Sequence, residues 1–564
     1  MDTRIIECVP NFSEGRDKEK IKSITDAICS VDGVSLLDVD AGEATNRTVV
    51  TFVGTPEAVV EGAFEGIRKA AEVIDMRAHH GAHPRMGATD VCPLIPVSGV
   101  SLEECADMAR KLAERVAAEL GVPTYCYEAS ALRPERKNLA VCREGEYEAL
   151  PEKMGSEEKG PDFGNRAFDE GVARTGATTI GARDFLIAVN FNLNTTSTRR
   201  ANAIAFDVRE KGRPMREGGK VTGKPVKDAE GNVVMIPGTL KGTKAIGWYI
   251  DEYEIAQVSM NITDISEVPL HVAFDEVCRA ANERGVRVTG TEIVGLVPKR
   301  TLVEAGKYFL RKQRRSTGIP DREIIRIAIR SMGLDELGEF DPSRKVIEYL
   351  IEDKASRRLV DLSARGLAEE TASESPAPGG GSISAYMGAL AASLGTMVAN
   401  LSAHKAAYDD CWESFSTVAE RGQELMESLL RLVDEDTAAF NRIMQVFAMP
   451  KGTQAEKEAR AAALEEATLY ATEVPLRTME TAMKVFGVVS EMAERGNPAS
   501  VTDAGVGALA ARAAVRGAFL NVKINASGLK DRGRAEALIA RGERMEADAA
   551  REEARILAMV ESRM

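Results

Sequence analysis

Three of the five histidines in this 564-residue chain, His79, His80 and His83, stand within five residues of one another. They belong to the run His79-His80-Gly81-Ala82-His83-Pro84-Arg85-Met86-Gly87. Glycine and proline impose an irregular backbone there, a common mounting for reactive side chains. An imidazole titrates near neutrality, so it can accept and return a proton within one turnover. Arg85 is able to hold a carboxylate, and Asp40 or Asp90 to orient an imidazole. Two other readings stand beside acid–base chemistry. The four-residue spacing of His79 and His83 suits a metal bound on a helix, although the glycine and proline would break that helix. A solvated loop needs no chemistry at all.

Four further groupings could carry chemistry. Asp162-Phe163-Gly164-Asn165 and the run Gly176-Ala177-Thr178-Thr179-Ile180-Gly181-Ala182-Arg183 bound a glycine-bearing connection, either a hinge or the wall of an inter-domain cleft. Between Arg209 and Lys227 seven basic side chains face Glu210 and Glu217, an excess that attracts a polyanion or stays solvated. Gly379, Gly380 and Gly381 lead through Ser382 into an uncharged helix, where bare backbone N–H groups can seat an anion; a flexible linker is the alternative. Asp434, Glu435 and Asp436 interrupt an apolar helix, and Asp436 lies one turn before Phe440. If it faces inward, burial raises its pKa and suits it to proton transfer; otherwise it belongs to an exposed acidic face.

The elements around these groups follow from apolar periodicity. Strand-like and helix-like stretches at 4–13, 18–31, 34–42, 47–54, 56–74 and 89–97 predict the order β-α-β-β-α-β of a ferredoxin-like domain. The same order recurs at 185–193, 197–211, 245–251, 255–263, 269–284 and 286–296. A polar loop over 212–242 interrupts the repeat and carries a hairpin turn at Glu230-Gly231-Asn232. Beyond residue 352 strand signals vanish and long heptad-like runs predict a helical bundle. The expected fold class is therefore α/β (α+β), with tandem ferredoxin-like βαββαβ domains and then an all-α domain. The expected boundaries are 1–181, 182–351, a linker at 352–361, and 362–564.

Composition narrows the partners. With 73 basic and 87 acidic side chains the chain carries a formal charge of −14, which argues against nucleic acid or an anionic membrane as the main partner. Eight cysteines without a CxxC pair predict reduced thiols and a cytoplasmic location. The N-terminal residues show no export signal. The uncharged stretch 383–403 is rich in small residues and predicts a tightly packed helix rather than a membrane span.

At the level of motifs the chain resembles known families. Glu7-Cys8-Val9-Pro10-Asn11-Phe12-Ser13-Glu14-Gly15, Asp38-Val39-Asp40-Ala41-Gly42, Thr45-Asn46-Arg47-Thr48 and His83-Pro84-Arg85-Met86-Gly87 resemble the glutamate formimidoyltransferase family. Gly145-Glu146-Tyr147-Glu148-Ala149-Leu150-Pro151, Pro161-Asp162-Phe163-Gly164 and Gly247-Trp248-Tyr249 continue that likeness in order. Ala377-Pro378-Gly379-Gly380-Gly381-Ser382 and Asp436-Thr437-Ala438-Ala439-Phe440 resemble the cyclodeaminase/cyclohydrolase family. Together they resemble the bifunctional formimidoyltransferase-cyclodeaminase family over nearly the whole chain.

The resemblance implies two steps of histidine breakdown and one-carbon metabolism. A formimidoyl group passes from N-formimidoyl-L-glutamate to N5 of tetrahydrofolate, and ring closure then expels ammonia to leave 5,10-methenyltetrahydrofolate. It implies His83 as the transferase acid–base and Asp436 as that of the cyclodeaminase. It carries folate contacts onto Asp162, Phe163, Gly164, Asn165, Phe168, Gly176, Thr178, Arg183 and Asp207. Asp40, Arg85, Asp90, Gly379, Gly380 and Gly381 are expected in support. Tetrahydrofolate is then a co-substrate, with or without a polyglutamate tail; no metal is expected, and a homo-oligomer is. Two rival readings are a helical domain that only hydrolyses methenyltetrahydrofolate, and a folate-binding scaffold with inactive sites.

Overall fold

The computed structural model describes residues 4–42, 46–80, 85–219, 223–351 and 358–564. The chain divides into two compact units, Met1–Thr301 with Met332–Glu352, and Leu302–Ser331 with Asp353–Met564.

In the first unit the initial strand is split. Pro10 has no N–H to give to a ladder, and it separates β1 (Ile5–Cys8) from β2 (Asn11–Phe12). Asp17 caps α1 (Lys18–Cys29), which buries Ile21, Ile24 and Ile28 along one face. Then come β3 (Val34–Gly42), β4 (Arg47–Gly54) and α2 (Pro56–Val73), with Pro56 in its first turn. β5 (Thr89–Ser98) is followed by α3 (Leu102–Leu120), closed by a Ser101–Glu104 capping box, and by β6 (Thr124–Glu128). The antiparallel order β3-β4-β1-β5 is that of the expected ferredoxin-like motif.

One strand corrects the sequence reading. After α4 (Leu139–Cys142), α5 (Leu150–Lys153) and α6 (Glu170–Thr175), the supposed glycine-bearing connection forms β7 (Thr178–Ala182). It lies between β5 and β6, parallel to both, and all five residues are buried. A buried parallel strand shows no polar alternation, so nothing in its pattern separates it from a loop. One face of this sheet packs Ile6, Cys8, Phe52, Cys92 and Leu94 into the helix-covered core. Alternation turns Glu7, Val9, Val91 and Pro93 to the other face.

The order repeats within the same unit. β8 (Ile187–Leu193) and α7 (Thr198–Val208) precede a small hairpin of β9 (Arg213–Pro214) and β10 (Met235–Ile236). Its expected turn is present: Gly231 has φ +88° and donates its N–H to Asp228 O. β11 (Thr243–Ile250), β12 (Ile255–Ile262), α8 (Leu270–Asn282) and β13 (Val288–Val294) complete an antiparallel sheet of order β11-β12-β8-β13. The helices α9 (Lys299–Lys312), α10 (Asp321–Met332), α11 (Pro342–Lys345) and α12 (Ile347–Ile351) follow. The stretch Leu302–Ser331, placed by sequence within 182–351, clusters with the second unit. There the backbone N–H of Thr317 donates to Ser416 Oγ at 3.0 Å, and a Cβ on Gly318 would meet Ala419 at 2.4 Å.

The second unit is helical: α13 (Ala364–Thr371), α14 (Gly380–Ala403), α15 (Trp412–Phe447), α16 (Gln454–Arg495), α17 (Val501–Ala526) and α18 (Arg532–Glu561). Small residues set the close approach of its helices. A Cβ on Gly395 would lie 2.8 Å from Val488, and one on Gly422 would lie 2.1 Å from Thr396. Helix α14 is long and apolar enough to cross a membrane, and 61% of its most apolar window is buried within the protein.

Candidate active sites

Residues far apart in sequence meet at Asn46, which has φ +49°. Its Oδ1 accepts the Gly15 N–H at 3.0 Å and its Nδ2 donates to His80 O at 3.0 Å. Its carbonyl accepts from His79 Nε2 at 2.9 Å. Gly15 is required at this point, since a Cβ there would sit 2.4 Å from Gly42 O. Thr48 Oγ1 donates to Glu14 O at 2.5 Å, tying the same two motifs again. The carbonyl of Asn46 assigns the proton of His79 to Nε2, which leaves Nδ1 to accept the Arg85 Nε–H at 3.4 Å. Burial, with Arg85 beside it, holds His79 below the usual imidazole range. His79 is thus a neutral internal strut.

Arg85 already has its carboxylates. It donates to Glu148 at 2.7 and 2.9 Å and to Glu146 at 3.2 Å. The Glu148 bond chiefly raises its pKa, so the arginine expected to hold a substrate carboxylate instead clamps the 145–148 segment. Asp90 is buried, accepts the Met86 N–H at 3.0 Å and pairs with Arg143. Asp40 is exposed on β3. His83, with Gly81, Ala82 and Pro84, lies outside the described residues.

A cleft of about 1350 Å³ opens on the sheet face away from the helices. Arg47, His80, Tyr127 and Arg143 line it from the first ferredoxin-like half, Arg183 from the connection, and Lys244 and Thr263 from the second half. Glu7 points to the same face, and burial pushes its carboxyl up to about 7 against the pull of Arg183. Burial likewise raises Glu128 on the cleft wall. Desolvation lowers the Arg47 guanidinium, which tells of a cation held in a poorly hydrated place.

Of the nine folate contacts expected from sequence, Arg183 lines this cleft. The other eight do not line it. Asp162 accepts the Cys126 N–H at 2.8 Å and pairs with Arg136 at 2.6 Å, both side chains buried. Phe163 packs on the helix-side core, and Thr178 is buried in β7. Gly164, at φ +95°, leaves a Cβ only 3.2 Å from Ala117. Asn165 donates to Asp169, the cap of α6, at 2.8 Å, and Phe168 meets Tyr147 edge-on at 6.2 Å. Gly176, at φ +66°, allows close backbone contact with the Met86–Gly87 turn, since a Cβ would stand 2.2 Å from Met86 O. Asp207, on α7, pairs with Arg284 and with Arg213 at 3.0 Å. Sequence reasoning assigned no role to Glu7, Arg47, Arg143 or Lys244. The quoted motifs around Glu7 and Arg47 were the available signal.

The second site lies where α14 begins. Ser382 Oγ donates to Asp436 Oδ2 at 2.9 Å and stands 3.3 Å from Thr437 Oγ1. A Cβ on Gly381 would fall 2.2 Å from Asp436 Oδ1, so only glycine admits the carboxyl there. Gly380 approaches Asn521, and Gly379 is the residue before the first turn. Burial raises Asp436 above the usual carboxyl range, while the hydroxyl and N–H of Ser382 pull it down. The neighbouring acids are committed elsewhere. Asp434 accepts the Leu359 N–H at 2.7 Å, and Glu435 accepts from Tyr470 at 2.5 Å and Arg477 at 2.6 Å. Asp436 therefore combines a pKa raised by burial with a hydroxyl neighbour. Among the described residues no cluster of three or more His, Cys, Asp or Glu is arranged to hold a metal ion.

Comparison with known proteins finds matches along the whole chain. Residues 5–183 match the formiminotransferase domain, N-terminal subdomain; residues 188–352 match the formiminotransferase domain. Residues 363–544 match formiminotransferase-cyclodeaminase. The chain is 42% identical over 530 residues to the formimidoyltransferase-cyclodeaminase of Mus musculus, covering 94% of each. It is 39% identical to the glutamate formimidoyltransferase of Streptococcus pyogenes, over 54% of this chain and 93% of that protein. It is 38% identical to the methenyltetrahydrofolate cyclohydrolase of Methylorubrum extorquens, over 34% of this chain and 93% of that protein. With two sites assembled from the motifs of both halves and this likeness along the chain, the protein belongs to the formimidoyltransferase-cyclodeaminase family.

Proposed function

We propose that the chain transfers a formimidoyl group from N-formimidoyl-L-glutamate to N5 of tetrahydrofolate in the cleft, and then cyclises the product at Asp436 with loss of ammonia. One observation carries the reading: each family motif set is drawn together by hydrogen bonds at a separate site, one around Asn46 and one around Asp436. In the first step N5 attacks the amidine carbon, and a tetrahedral adduct forms. A proton must leave N5 and reach the glutamate nitrogen before the C–N bond breaks and glutamate departs. His83 is the residue we assign to that transfer; His80 and Arg85, which bracket it in sequence, both line the cleft. The cleft suits an anionic pterin-bearing substrate, with Arg183 and Lys244 for charge and Tyr127 for a ring. Arg85, Asp90, Gly164 and Gly176 act by holding the walls.

In the second step N10 attacks the formimidoyl carbon. The formimidoyl group enters as its amidinium, –CH=NH2+; Asp436 takes the N10 proton and passes it to the adduct's –NH2, which leaves as ammonia, and the cationic methenyl bridge remains. Ser382 steadies the carboxyl in both protonation states, as donor to its anion and neighbour to its acid. A polyglutamate tail would find exposed cations at Lys211, Lys224 and Lys227. Exposed Leu390, Leu401, Val506, Leu520 and Ile524 support self-association of the helical unit. The eight free cysteines favour a reducing cytoplasm.

Following methenyl absorbance and ammonia together, from formimidoylglutamate and tetrahydrofolate, tests the proposal. Equal amounts of both products are expected. The likeness to a methenyltetrahydrofolate cyclohydrolase supports a second reading, in which supplied methenyltetrahydrofolate is hydrolysed and no ammonia appears. Tight folate binding with neither product would mark an inactive scaffold.

A further inference from the structure

We infer that Arg47 is the seat for a carboxylate of the formimidoyl donor, an N-substituted acidic amino acid, and that Asn11 accepts an N–H of the same molecule. The inference rests on the transferase reading and assigns the donor its own corner of the cleft. Its basis is that, of the four arginines lining the cleft, one is unmatched. Arg85 is held by Glu146 and Glu148, Arg143 by Asp90, and Arg183 donates to Asp184 O. Arg47 makes no ion pair or side-chain hydrogen bond among the described residues, and its Nε is buried without a partner. A guanidinium partly withdrawn from water, with its Nε buried and unmatched, is costly, and a carboxylate entering the cleft would relieve that cost. Arg143 stands close enough for its charge to act on Arg47, as do the carboxylates of Asp90 and Asp40, none of which makes an ion pair with it among the described residues.

The second unmatched atom is on the adjacent strand. Asn11 pairs with Val49, two residues along β4 from Arg47, so both side chains rise from the same face as diagonal neighbours, about 7–8 Å apart at the backbone. Asn11 gives its Nδ2 to Val9 O, which leaves Oδ1 buried with no donor. A cation and a bare acceptor side by side match a molecule with a carboxylate and an N–H a few bonds apart, as in an N-formimidoyl amino acid. Asn46, next to Arg47, holds His80 O, so the corner adjoins the histidine run. The opposite electrostatic grouping is separate: Arg183 acts on Glu7 and Glu128, and Lys244 acts on Glu128. That end is left for the folate.

The test is the effect of Arg47→Ala and Arg47→Lys on the KM of each substrate, with calorimetric binding of L-glutamate alone. Arg47→Ala should raise the donor KM about 10- to 100-fold and weaken L-glutamate to the same degree, with the tetrahydrofolate KM within about twofold of its starting value. Arg47→Lys should recover part of the loss, since the charge stays and the fork is lost. A tetrahydrofolate KM that rises while the donor KM stays fixed would overturn the assignment, and so would no change in either. Should Arg47→Ala not fold, the lysine variant makes the same comparison at smaller amplitude. Absence of transfer by the unaltered protein would instead strike the transferase reading, and glutamate binding would still judge the seat.

Discussion

On the proposed reading the cleft and the helical site handle the same functional group, a one-carbon amidine, with different materials. The cleft is made from strand ends and loops. Its polar groups are positioned by backbone carbonyls and by ion pairs between distant motifs, as at Asn46, Arg85 and Asp90. The site at Asp436 is made from helices, with one carboxyl fixed by a hydroxyl and by the absence of a side chain at Gly381. A loop-built site can surround two substrates with many charges, at the expense of many pairings that must all be right. A helix-built site offers fewer groups and fixes them by close packing and a single hydroxyl. The difference teaches that transfer should be sensitive to changes in a broad network, and cyclisation to very few atoms.

The strongest way to break this comparison is to remove one proton carrier at a time. Asp436→Asn should slow cyclisation by about 10²–10⁴-fold and leave transfer intact, so that 5-formimidoyltetrahydrofolate accumulates. His83→Ala should do the reverse: transfer falls by a similar factor while added 5-formimidoyltetrahydrofolate is still cyclised. Loss of both activities in either variant would show that the two sites are not independent. Next, Gly381→Ala should push the Asp436 carboxyl out of place and lower cyclisation about 10²-fold, with the helical unit still folded by circular dichroism.

Smaller effects sharpen the comparison through stability. The folded state raises the Glu7 carboxyl to about 7, above its ordinary value of 4.5. Folding therefore favours the protonated form, and stability falls as pH rises through that window, by on the order of 3 kcal/mol at full ionisation. Glu7→Gln should abolish the fall, seen in denaturant melts between pH 4 and about 8. A slope unchanged in the variant would place the titration elsewhere. Arg85→Ala leaves His79 and Glu148 without their donor and should cost about 2 kcal/mol in the first unit, with no change in the melting of the second. An equal loss in Asp436→Asn would erase the distinction between network and packed site.

Much of this was legible from the chain itself. The two βαββαβ orders followed from periodicity because antiparallel strands with one covered face alternate. β7 was not legible. It is short, contains Gly181 and is buried throughout, so no alternation marks it. Among the three adjacent acids, helical spacing suggested Asp436, and the motif around it agreed; the partners of Asp434 and Glu435 were invisible, because they come from residues 75 and 35 positions away. Arg85 was recognised as a carboxylate holder, yet its carboxylates turned out to be internal. Arg47 lay in a recognised motif and received no role, since one arginine in a strand carries no spacing signal.

By itself the amino-acid sequence determined the element order, the helical character of the C-terminal part and the motifs that place the chain in its family, because these depend on local periodicity and residue identity. Tertiary structure alone decided which charges are satisfied. Whether an arginine is clamped, as Arg85 is, or left without an ion pair among the described residues, as Arg47 is, depends on which carboxylates the fold brings within hydrogen-bonding reach. That is a property of residues far apart in the chain, and only packing brings them together.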